Sequence, residues 1–237
     1  TIHTSGACTF NIRPGLDSLF SIYEYQDGNP LLFKSANGNA NSVQIKIMDV
    51  YDSYNIHFKN VTLYPRTDYN SSYNYKGAEF IGGQFSIDSC IIRGLNDPAY
   101  RNGLTFVHAD SVSVTHCRFI DLENGVNFSD YPWFGSNYFN GKCYVMNNSF
   151  DSLHTCVRVL GTMTDSVFIS HNVMNEPYTG INYDCNGFSA PANISYNKIN
   201  NATGMAIDVG NFNAGYVNAI NCYNNMLSRS EEHTSEL

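Results

Sequence analysis

The strongest constraint on this chain is a repeat that its own segments spell out. NIHFKNVTL, QFSIDSCII, VSVTHCRF, CYVMNNSF, VFISHNVM, ANISYNKI and INCYNNML share one pattern: apolar, x, apolar, x, x, Asn or Cys, x, apolar. Aligning the Asn/Cys position puts Val61, Cys90, Cys117, Asn148, Asn172, Asn197 and Asn225 in one column, with gaps of 29, 27, 31, 24, 25 and 28 residues. A second motif follows each of the first six copies: a small residue, then apolar, x, apolar. It begins at Gly77, Gly103, Gly125, Cys156, Gly180 and Gly204, with gaps of 26, 22, 31, 24 and 24 residues. Two motifs drifting in step mark a chain built of stacked supersecondary units.

Apolar alternation with period two means strands, and the pieces are too short for helices. Each repeat holds two or three short strands broken by Asn, Gly or Asp. A sandwich of hairpins calls for two-residue Asn-Gly turns between strands, and these are largely missing there. A solenoid in which each strand pairs with its copy one coil on satisfies the pattern. Parallel strands lie about 4.8 Å apart, so equivalent residues stack into ladders. Of the 237 residues, 31 are Asn. A ladder of turn asparagines, each bonding its copies above and below, gives that surplus a physical cause.

Composition removes several classes of function. Charged residues make up only 14% and the formal net charge is −8, with no basic block, which argues against a nucleic-acid partner. No apolar run approaches about 18 residues, so no membrane insertion by a helix is expected. Seven Cys in a chain of this size do not make a disulfide scaffold. Cys90, Cys117, Cys143, Cys156 and Cys222 fall at inward positions, where a free thiol acts as a small hydrophobe. His116 and His171 share a turn position two coils apart, with Asn147 between them, and cannot share a metal ion.

The repeats resemble the right-handed parallel β-helix of the pectate-lyase-like superfamily over roughly residues 42–228. The expectation is therefore an all-β, right-handed parallel β-helix solenoid of six to seven coils, preceded by an N-terminal cap segment over residues 1–41. TFNIRPG, NPLLFKSANGNANSVQIKI and the coil YDSYNIHFKNVTLYP resemble the opening of large secreted β-helix proteins of Bacteroidetes-type bacteria. That resemblance implies a secreted or cell-surface protein. The final nine residues, RSEEHTSEL at 229–237, resemble an in-frame translation of a common short-read sequencing adapter. They are read as non-native, and the natural chain is expected to continue past residue 228. Without one Arg and three Glu the formal charge becomes −6, since −8 − 1 + 3 = −6. An uncapped last coil over residues 216–228 would then expose an apolar edge.

Enzymes of the resembled superfamily place their sites on an outward strand face flanked by long loops. The longest departure from the shortest coil is SDYPWFGSNYFNGK at residues 129–142, which carries Tyr131, Trp133, Phe134, Tyr138 and Phe139. Exposed flat rings can cover the apolar face of a sugar while neighbouring amides meet its hydroxyls. The outward row of the second motif reads Glu79, Thr105, Asn127, Arg158, Asn182 and Ala206. Glu79, Asn127 and Asn182 are candidate binding residues, and Arg158, its only cation, is the candidate catalytic base of a uronate lyase. Two positions further on, Asp184 and Asp208 align on adjacent coils as candidate Ca²⁺ ligands. No other cofactor is indicated.

The Asn-Thr-Asp, Asp-Asp and Gly-His-Gly set of polygalacturonases is absent, as is a Trp-Ile-Asp-His-type segment. The expected function is therefore a secreted or surface-attached module that binds polysaccharide or cell-surface glycan, or serves as an adhesin. The alternative is a polysaccharide lyase acting on an acidic glycan by β-elimination. A phage tail-spike-like fibre shares the architecture but requires trimerisation, for which no sequence signal is present.

Overall fold

The computed structural model of the chain describes residues 8–13, 15–23, 29–51, 55–65, 77–95, 102–129, 139, 141–160, 163–184, 191–210 and 220–228. Within them the protein is a parallel β-solenoid. It starts with β1 (Cys8–Ile12), β2 (Gly15–Tyr23), β3 (Leu31–Ser35), a 3-10 turn at Ala40–Ser42 and β4 (Val43–Tyr51). Coils of three strands follow. The first is β5 (Ile56–Lys59), β6 (Thr62–Pro65) and β7 (Ala78–Ile81), and the second is β8 (Gln84–Asp88), β9 (Ile91–Arg93) and β10 (Asn102–Val107). The third is β11 (Ser111–Thr115), β12 (Arg118–Ile120) and β13 (Asn124–Phe128), and the fourth is β14 (Cys143–Met146), β15 (Ser149–Asp151) and β16 (Thr155–Val159). The fifth is β17 (Val167–Ser170), β18 (Val173–Asn175) and β19 (Thr179–Tyr183), and the sixth is β20 (Ala192–Ser195), β21 (Lys198–Asn200) and β22 (Ile207–Val209). β23 (Ile220–Tyr223) and β24 (Met226–Ser228) begin another.

Three faces run along the axis. The first is a nine-stranded sheet ordered β1-β3-β5-β8-β11-β14-β17-β20-β23. The second (β6 to β24) and third (β7 to β22) are joined through β4, whose residues 44–47 pair with β6 and residues 49–51 with β7. Each strand pairs in parallel with its counterpart one coil on, which is consistent with the right-handed winding that parallel crossovers obey. The ladder also runs through the segment read as a cap, since Cys8, Leu31 and Ile56 share one register row.

The corner between the first and second faces explains the Asn/Cys column. One residue per coil, Asn60, Ser89, His116, Asn147, His171, Tyr196 and Asn224, takes φ of 53° to 58° and turns the chain. The next residue points inward. There Asn172 accepts from the Asn148 backbone N at 3.0 Å and from its Nδ2 at 3.0 Å. Its own Nδ2 donates to Val145 O at 2.8 Å and to Asn197 Oδ1 at 2.9 Å. Asn197 repeats this with Asn225 and Ile169 O, and Cys117 N caps the row on Asn148 Oδ1 at 2.8 Å. A buried amide ladder thus satisfies the backbone groups that the bend takes out of the sheets.

Stacked rings fill the core. Phe10, Phe33 and Phe58 stack along the first face with centroids 4.8 and 5.3 Å apart, Phe80, Phe106 and Phe128 follow along the third at 5.1 and 5.6 Å, and Phe58 meets Phe80 edge-on within one coil at 6.4 Å. Phe119 lies on Phe150 at 4.6 Å. The small residue of the second motif has a steric cause. A Cβ on Gly103 would lie 2.1 Å from Gly125 O, and one on Gly125 would lie 2.4 Å from Cys156 O. At the last described coil Tyr223, Met226 and Leu227 are exposed, and Cys222, in the inward row opposite Ile194, is exposed with them. Residues 229–237, read as adapter-derived, lie outside the described residues.

Candidate functional site

The outward row of the third face brings most of the sequence-predicted residues onto one line. Glu79, Thr105, Asn127, Arg158, Asn182 and Asp208 are mutual register partners on β7, β10, β13, β16, β19 and β22. At about 4.8 Å per strand the row offers one polar group per rung. It alternates acid, hydroxyl, amide, guanidinium, amide and acid.

The last rung differs from the expectation. From the pair Asn175/Asn200 the chain takes six residues to Ile181 but seven to its partner Ile207, one more than in the coil before and two more than the Gly180/Gly204 alignment implies. Asp208, not Ala206, therefore stands opposite Asn182, whose Nδ2 donates to Asp208 Oδ2 at 2.8 Å. Ala206 takes the small-residue place instead of Gly204, its carbonyl 2.4 Å from where a Gly180 Cβ would be. Asp184 and Asp208 consequently do not stack. No group of three or more His, Cys, Asp or Glu that could hold a metal ion occurs among the described residues. Asp184 Oδ1 is buried without a hydrogen-bond partner.

Burial divides the row. Glu79, Arg158, Asn182 and Asp208 are part-exposed, whereas Thr105 retains 1% and Asn127 5% of its exposure. Thr105 Oγ1 accepts from Gly77 N at 3.1 Å. The Asn127 amide is different, because both Oδ1 and Nδ2 are buried and neither has a hydrogen-bond partner. An unmet buried polar group costs about 1–3 kcal/mol, and native proteins keep few of them.

Of the aromatic insertion, Tyr131, Trp133, Phe134 and Tyr138 lie outside the described residues. Phe139 is wholly buried, edge-on to Phe128 at 5.7 Å and bridged to Met163, so it belongs to the core. The described cysteines are free thiols. Burial pushes the Cys143 thiol up to about 12 and raises Cys156 as well. Burial and then Cys90 raise Cys117, so these three are poor metal ligands and nucleophiles. His116 and His171 occupy the same turn position, as expected; His116 Nδ1 lies 3.1 Å from Asp88, and His171 stacks on Tyr196 at 5.0 Å.

Sequence reasoning missed two features of the first face. Asp88 gathers Lys59 Nζ at 2.9 Å, His116 and Thr115 Oγ1 at 3.1 Å. Tyr144 and Phe168, on the outward row, stack at 5.1 Å with 11° between their planes. Their signal was present: both are rings at the variable position of apolar, x, apolar, where a polar residue is the rule. No family model matches this chain, and neither a curated protein nor a solved structure does.

Proposed function

We propose that this solenoid is a glycan-binding module whose polysaccharide lies along the third face, from Glu79 to Asp208. The observation that carries the reading is the straight polar row itself, in which Glu79, Arg158, Asn182 and Asp208 stay part-exposed as register neighbours around buried Thr105 and Asn127. Hydroxyl-rich chains suit alternating amides and charges, since each sugar hydroxyl both donates and accepts. The resemblance of the repeats and N-terminal segment to secreted β-helix proteins supports display outside the cell. The lyase alternative rests on Arg158. Its partners on the row are Asn127 and Asn182, amides that can hold a sugar but cannot take a proton from it, which favours binding over elimination.

Affinity electrophoresis against soluble acidic and neutral polysaccharides tests this. At least one glycan should retard the folded protein, and Arg158→Ala or Asn182→Ala should weaken that binding about tenfold, the worth of one charge-assisted hydrogen bond. Asn127→Leu, which removes a buried unpartnered amide, should raise the melting temperature and leave binding unchanged. A folded protein retarded by no glycan, or equally in all three variants, contradicts the reading.

A further inference from the structure

On the opposite strand set, the strands β11 to β23 of the first face carry no charged side chain on their outward side, and the exposed Lys142 stands just outside them, before β14. Its outward residues are Ser111, Ser113 and Thr115, then Tyr144 and Met146, Phe168 and Ser170, Asn193 and Ser195, and Asn221 and Tyr223. In a chain of net charge −8 whose other faces carry acids and bases, eleven uncharged outward residues over five strands select against charged ligands.

The relief of this surface is set by side-chain size. Ser170 and Ser195 are register partners in the middle of it, yet they retain only 7% and 5% of their exposure. Taller neighbours on both sides shield them. Along one side stand the stacked Tyr144 and Phe168, continued by Asn193, which accepts from Asn221 Nδ2 at 3.2 Å. Along the other, at the corner turn, His171 stacks on Tyr196 at 5.0 Å, while Met146 and Tyr223 are the register partners of Ser170 and Ser195 and stand at the two ends of the serine row. Tyr196 and Tyr223 are exposed. The result is a short, shallow trough, two serines long, with walls of rings and amides and with Met146 and Tyr223 closing its ends.

We infer that this trough is a second, separate glycan site, one that takes an uncharged polysaccharide. Serine hydroxyls and the Asn193 amide offer hydrogen bonds to sugar hydroxyls, while the exposed Tyr196 ring and the part-exposed Tyr144 ring meet the C–H surface. With no ionic partner, its binding is insensitive to salt, unlike binding at the Arg158 row.

The test uses the full chain in affinity gels of laminarin, galactomannan and xyloglucan, with polygalacturonate as the charged comparison. A neutral glycan should retard the protein equally at low and high salt. Tyr196→Ala and the trough-filling Ser170→Leu should each weaken that retardation about tenfold, roughly one lost ring contact with its buried area. Hydroxyl-radical footprinting of the unaltered protein reads the same site without any variant, and Tyr144 and Tyr196 should become protected when the neutral glycan is added. The inference is overturned if no neutral glycan retards the folded protein, or if the two tyrosines stay unprotected. Neutral-glycan binding that is lost in Arg158→Ala and kept in Tyr196→Ala overturns it too, while upholding the third-face reading. So does a dimer, formed without glycan and abolished by Tyr196→Ala, because the trough is then the contact between copies.

Discussion

At the residue scale, buried amides and one acidic cluster dominate. Asn172 sits inside the ladder with neighbours on both sides, so alanine there strands the Asn148 backbone N–H and the Val145 carbonyl. Asn172→Ala should cost about 3 kcal/mol in chemical denaturation. Asn225→Ala, at a half-buried rung, should cost about 1 kcal/mol. Equal losses would mean that burial does not set the ladder's worth. Titration adds a second prediction. Burial alone pushes the Asp88 carboxyl up, but hydrogen bonds from Lys59, His116 and Thr115 with the Lys59 charge outweigh it and hold it below the ordinary range. Burial lowers the His57 imidazole. For both groups the unfolded chain binds the proton more readily, so their stabilisation is complete above the unfolded values and falls on acidification. Thermal stability should decline as pH drops through about 6.5, where His57 protonates in the unfolded chain, and again below about 4 through Asp88. His57→Gln should remove the first decline and Asp88→Asn the second, as read from melting temperature against pH.

At the scale of the strand and its turns, the repeat was legible because one column of side chains does one job in every coil. The Asn/Cys column reads directly onto the inward corner position, and the small-residue column onto the carbonyl of the next coil. Gly125→Ala tests the second of these: its Cβ would sit 2.4 Å from Cys156 O and 2.8 Å from Phe150 Cε1. A loss of about 2 kcal/mol is expected, and a neutral substitution would show that coils slide apart freely. What the sequence hid was the length of one turn. The turn before β22 is one residue longer than its counterpart, where the Gly180/Gly204 alignment made it one shorter, so Asp208 moves into the polar row and Asp184 loses its expected partner. Motif alignment cannot see this, because GMAI at residues 204–207 satisfies the pattern as well as AIDV at 206–209. The rings of Tyr144 and Phe168 were readable as exceptions to alternation, but their stacking depends on register, which only the paired strands supply.

At the scale of the molecule, parallel coils turn a one-dimensional sequence pattern into straight rows of side chains on three faces. That geometry suits long, regular ligands better than small ones, since a polymer lying along the axis meets the same spacing at every coil. The third face offers mixed charges and amides, and the first an uncharged trough, so one scaffold presents two chemically distinct surfaces. The fold was legible almost entirely from periodicity. The site was legible only as a row, because side-chain burial, and with it the unmet Asn127 amide, depends on what covers each rung. The most direct measurement incubates the folded protein with acidic and neutral polysaccharides, with and without Ca²⁺, and reads retention on the glycan together with unsaturated-uronate absorbance and new reducing ends. Retention without product is the predicted result. Release of unsaturated or reducing ends would contradict it and make the chain an enzyme, and a folded protein retained by no glycan would contradict glycan binding itself.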